Sequence, residues 1–148
     1  MDPFIIVVIL AGGLAGWLFG AVWYGVLGKP WQRALGLNPD DCKDKKMPLV
    51  PMVTSFIVAL VMSALLLPIL AMVAGNSHGM LEWRAAVPAA VTGLVLGIGF
   101  VFCPMMVNNM FQQRPFTLTV IDGLHWTFAL MIEAVVIVLV YAAWFTQP

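Results

Sequence analysis

Asp122, His125 and Glu133 stand within DGLHWTFALMIEA, inside the last long apolar stretch of the chain. At about 100° per residue of an α-helix, Glu133 lies only ~20° from Asp122 around the axis and His125 ~60° to the other side, so all three share one face. The helical rise separates the two carboxyls by ~16 Å, which puts Asp122 about one turn inside the cytoplasmic end and Glu133 close to the midplane of a bilayer. A carboxylate at that depth costs ~3 kcal/mol on insertion scales. Glu133 must therefore face the bundle, hold a proton or pair with a polar group. Ionisable groups inside membranes mark ion and proton paths, and histidine titrates near neutral pH. One chemistry open to the three residues is thus passage of a proton or cation along Asp122, His125 and Glu133.

A second reading is structural. Asn108, Asn109, Gln112 and Gln113 face Asp122 and His125 across the short connection QQRPF, which makes a polar cluster at the cytoplasmic side. In this reading Arg114 pairs with Asp122, the asparagines satisfy loose backbone carbonyls, and the cluster latches the hairpin between the third and fourth spans. The latch is the expected role of Asn108, Asn109, Arg114, Asp122 and His125, and the ion path is its alternative.

Other chemistries fit less well. A haem held by two histidines needs a second one in the membrane, and His78 belongs to the loop NSHGMLEW. Cys103, Met106 and Met110 share a face and could be soft ligands for Cu(I), but methionine is the usual filler of irregular packing. The chain has no nucleophile with its base, no zinc spacing and no phosphate loop. We expect no metal, no cofactor and no enzymatic activity.

The elements that must position these groups are membrane spans. With 62% apolar and 9% charged residues, the chain has too little polar surface to coat a soluble globule. Four stretches, at about 4–27, 48–74, 85–111 and 118–145, reach the ~20 apolar residues needed to cross a bilayer. The expected fold is an all-α integral membrane protein over residues 1–148, a single domain of two antiparallel hairpins. Lys29, Arg33, Lys43, Lys45 and Lys46 lie between the first two spans and Arg114 between the last two, while only Arg84 falls on the other side. The positive-inside rule then puts both loops in the cytoplasm and both termini outside. Span one lacks a basic leader region and is too long for a signal peptide, so we expect it to be retained. Cys42 and Cys103 fall in different compartments and do not form a disulfide.

Gly12, Gly16 and Gly20 recur every four residues in span one and make a smooth face that another backbone can approach closely. Ser55, Ala59 and Ser63 repeat the device in span two, and Ala85, Ala89, Gly93 and Gly97 in span three. Pro104 removes a donor inside span three, frees the carbonyl of Phe100 and predicts a kink. In the loop KPWQRALGLNPDDCKDKKMP, Asn38 caps and Pro39 opens a short amphipathic surface helix, with Asp40 and Asp41 at its positive end and Lys43, Lys45 and Lys46 at its negative end. Trp31 and Leu35 would lie at the interface and the lysines would face anionic lipid.

At WYGVLGKPW, residues 23–31, and at NNMFQQRPF and IDGLHW, within residues 108–126, the chain resembles a family of short bacterial four-helix membrane proteins known as domain of unknown function 1761. The resemblance covers nearly the whole chain. It implies the fold and almost no biochemistry, and Glu133 lies outside the pattern that carries it. The expected role is structural, a self-associating or accessory subunit of a membrane assembly, with membrane lipid, further copies or a larger complex as partners and no nucleic acid. The alternative is a small proton- or cation-coupled transporter or channel. A conduit needs Glu133 to reach water, whereas a scaffold needs it sealed.

Overall fold

The computed structural model describes residues 3–42, 48–75 and 83–145. Among them are four helices long and apolar enough to cross a membrane: α1 (Pro3–Ala34), α2 (Leu49–Val73), α3 (Ala86–Phe111) and α4 (Phe116–Phe145). No strand forms among the described residues. Large apolar side chains on all four helices face outward, among them Val26, Val50, Leu65, Val95, Phe111 and Leu139. A surface of that kind suits hydrocarbon rather than water.

The first helix runs seven residues beyond the expected end of span one, from Leu27 on to Ala34. Pro30 sits inside it and cannot donate to the carbonyl four residues back. Trp31 nevertheless packs edge-on against Tyr24, with ring centroids 5.8 Å apart, and this contact ties the added turns to the bundle. Trp31 is therefore half-buried on the last turns of α1, ahead of the turn Pro39–Cys42. The helix ends at Gly36, whose φ of 75° suits glycine, with Leu37 N–H donating to the Gln32 carbonyl at 2.9 Å and Gly36 N–H to that of Arg33 at 3.0 Å. Beyond it the Asn38 side chain accepts from Asp40 N–H at 3.2 Å and caps the turn Pro39–Cys42. That turn is a single 3₁₀ turn of four residues, where the sequence predicts a short amphipathic helix. Lys43, Lys45, Lys46 and His78 lie outside the described residues.

Pro104 has its effect upstream. Residues Gly97–Phe102 wind as a π-helix, and Cys103 N–H donates to the carbonyl of Ile98, five residues back. The hydrogen-bond ladder has thus widened before it reaches the proline that cannot donate. Gly123 on α4 leaves room for the adjacent Phe102 ring, since a β-carbon there would lie 2.5 Å from it. Cys103 and Met110 are exposed on the outside of α3, so the Cys103, Met106 and Met110 group does not gather in the interior.

The connection from α3 to α4 closes in the same way as the end of α1, but without glycine. Gln113 takes φ 53°, with its N–H donating to Met110 and the Arg114 N–H to Asn109. Pro115 then stops any continuation. A side chain in the left-handed region costs roughly 1–2 kcal/mol, so Gln113→Gly should stabilise the protein by about 0.5–1 kcal/mol. Thermal unfolding in detergent measures this, and a lowered melting temperature would show that the Gln113 side chain itself is needed.

The last helix is the centre of the bundle, with α1 on one side and α3 on the other, while α2 packs on α1 and reaches α4. Gly93 and Gly97 of α3 press against the backbone of Leu130, Met131 and Thr127. Phe4, Val8, Leu66, Leu70, Ile137 and Val138 form a tight apolar core at the end of the bundle where α1 begins. The polar groups occupy the other half.

Candidate functional site

Gly12, Gly16 and Gly20 face α4, and the polar stripe of α4 faces them. A β-carbon at Gly12 would lie 2.5 Å from Ser63 Oγ and 2.9 Å from Ile137 Cγ1, and one at Gly20 would lie 2.7 Å from His125 Nε2. At Gly16 it would fall on the carboxyl of Glu133. The two helices run antiparallel, and the absent side chains on α1 make the space into which α4 sets its ionisable groups. These glycine faces, with Gly93 and Gly97, pack helices within this chain. A second copy would have to use another surface.

One more four-residue step along α1 reaches Tyr24. Its hydroxyl donates to Asp122 Oδ1 at 2.7 Å, and its ring lies 4.9 Å from that of His125. Beside it Trp23 Nε1 donates to the Ile121 carbonyl at 3.1 Å. The sequence pairs Asp122 with Arg114, but the structure gives Asp122 to Tyr24 and leaves Arg114 exposed. The bond that closes the α3–α4 hairpin runs instead from Asn109 Nδ2 to Thr119 Oγ1, buried and 2.9 Å long. Asn108 is exposed and takes no place beside it. The expected cluster therefore divides, with Asn109 joined to Thr119 while Asp122 and His125 belong to Tyr24.

Tyr24 and Thr119 are the residues that sequence reasoning missed. Tyr24 follows Gly20 at the spacing of the ladder itself, and that periodicity could have found it. Thr119 has no such signal. In a double-mutant cycle, Tyr24→Phe and Asp122→Ala should couple by about 1 kcal/mol in unfolding free energy. Asp122→Ala and Arg114→Ala should couple more weakly than that, through charge alone, since no ion pair joins them among the described residues. The reverse result would restore the arginine latch.

His125 is buried at 6% exposure, stacked on Phe19 with planes 4° apart, and its Nδ1 has no hydrogen-bond partner among the described residues. Glu133 is buried completely, at 0% exposure, and neither carboxyl oxygen has a partner there. Both side chains line a cavity of about 330 Å³ between α1, α2 and α4. Trp17, Tyr24, Ser55 and Trp126 also line it, and Trp17 Nε1 donates to Ser55 Oγ at 3.2 Å. Ala21 and Gly25 line it too and are exposed, so the cavity opens on the flank of α1. Asp122, His125 and Glu133 thus all turn to α1, the first two at Tyr24 and the third at Gly16.

Fold and site together comprise, among the described residues, four helices long and apolar enough to cross a membrane around an interior carboxyl that has no hydrogen-bond partner. The chain belongs to the family described as protein of unknown function DUF1761, whose profile matches residues 7–138 and so takes in every residue of the site. Among curated proteins and among solved structures, nothing matches the chain.

Proposed function

We propose that this protein is a small carrier that moves a proton or another cation across the inner membrane, with Glu133 as the group that binds it. The observation that carries this reading is the carboxyl of Glu133, completely buried, without a hydrogen-bond partner among the described residues, at the wall of a cavity. A carboxylate left so at mid-membrane depth costs ~3 kcal/mol and contributes nothing to packing that leucine would not. A proton or cation taken up there removes that cost. A conduit needs Glu133 to reach water, and in this conformation it has no exposed surface. The carrier reading therefore requires a second conformation, in which the carboxyl turns away from Gly16 and meets water, and it excludes a channel that is open in this one. The orientation that the basic residues favour, with the α1–α2 and α3–α4 connections cytoplasmic, puts the Tyr24 end of the cavity on the cytoplasmic side.

The complete burial of Glu133 also favours a second reading, a non-enzymatic accessory subunit in which the acid is sealed for good. Purified protein in lipid vesicles separates the two. A carrier should shift internal pH or discharge an imposed cation gradient faster than empty vesicles do. Rates equal to empty lipid under every imposed gradient would overturn the carrier and leave the subunit.

A further inference from the structure

We propose that the cavity between α1, α2 and α4 binds an organic cation with an apolar body, its body between Trp17 and Trp126 and its charge toward Glu133, whose buried carboxyl turns out from Gly16 to meet it. The inference rests on the carrier reading and narrows what is carried. At about 330 Å³ the cavity has the size of a small-molecule site, far beyond the space of one water or one metal ion. Its wall is mostly apolar and aromatic, with Trp17, Tyr24, His125 and Trp126 around a single carboxyl. Aromatic faces attract ammonium groups, and most strongly where water is excluded.

The donor set speaks against an inorganic ion. Hard cations take six or more oxygens, and the side-chain oxygens lining the cavity are those of Tyr24, Ser55 and Glu133. Tyr24 already donates to Asp122 and Ser55 to the carbonyl of Met52. Among the described residues, no three His, Cys, Asp or Glu side chains come together as a metal-holding group. The opening past Ala21 and Gly25 lies on the apolar flank of α1, where neighbouring Val22 and Val26 are exposed. A ligand with an apolar body can enter there from the bilayer, whereas a hydrated metal ion cannot shed its water in hydrocarbon.

The test is calorimetric titration of the purified protein in detergent with benzyltrimethylammonium. Wild type should bind it saturably at one site per chain. Glu133→Gln should weaken binding at least tenfold while its melting temperature stays near that of wild type. Trp126→Leu should weaken it about threefold. Neopentylbenzene, the uncharged isostere, should not compete. Equal competition by neopentylbenzene, or no saturable binding of the ammonium, overturns the proposal. Binding of sodium or potassium without the ammonium, accompanied by vesicle flux, overturns it while the carrier reading stands. No binding together with no flux overturns both.

Discussion

Glu133→Gln in lipid vesicles should carry no proton or cation flux above empty lipid, and its stability in detergent should stay within about 1 kcal/mol of wild type, or roughly 2–4 °C in melting temperature. The amide occupies the space of the protonated acid, so the close fit against Gly16 and the packing of Ile137 one turn away are kept. What is lost is the ability to release a proton or to hold a positive charge. Because both carboxyl oxygens lack hydrogen-bond partners among the described residues, no hydrogen bond is broken by the change. Flux retained in the Gln variant would remove Glu133 from the transport path. A loss of fold along with the flux would make Glu133 a structural residue.

The second large effect is one of sign. Gly16→Ala should destabilise the protein by about 1–3 kcal/mol, the usual cost of an extra methyl group in a packed interior. Its β-carbon would land on the Glu133 carboxyl, so that the side chain has to leave its place against α1 or the two helices have to separate. Gly25→Ala, two to three turns on in the same helix, meets nothing within 4 Å. There the better helix propensity of alanine should stabilise by up to about 1 kcal/mol. Glu133→Ala in the Gly16→Ala background should recover most of the loss, since the overlapping atoms are gone, with a coupling of at least ~1 kcal/mol between the two sites. Unfolding in detergent of the four proteins measures all of this. Equal effects at Gly16 and Gly25, or additivity of Gly16→Ala with Glu133→Ala, would show that the two helices do not meet as described.

The contrast between those glycines marks where reading along the chain stops. Gly12, Gly16, Gly20 and Gly25 are all glycines of one apolar stretch, and only the neighbouring helices separate the three that are filled, Gly16 and Gly20 by α4 and Gly12 by α2 and α4, from the one that faces open space. The sequence by itself determined the four apolar helices, the single face shared by Asp122, His125 and Glu133, the smooth ladder of α1 and the Asn38 cap. Each of these follows from the helical repeat or from groups a few residues apart, where covalent geometry leaves little choice. Tertiary structure alone decided that the ladder receives the ionisable stripe, that Asp122 takes its bond from Tyr24 rather than Arg114, and that Asn109 meets Thr119. It also decided that a cavity remains beside Glu133. The pattern on one helix says which residues share a face but not which face of another helix will meet it, nor at what axial shift. In a bundle whose helices all carry small-residue faces, that choice belongs to the packing of the whole, because hydrocarbon offers each face alone almost nothing to prefer.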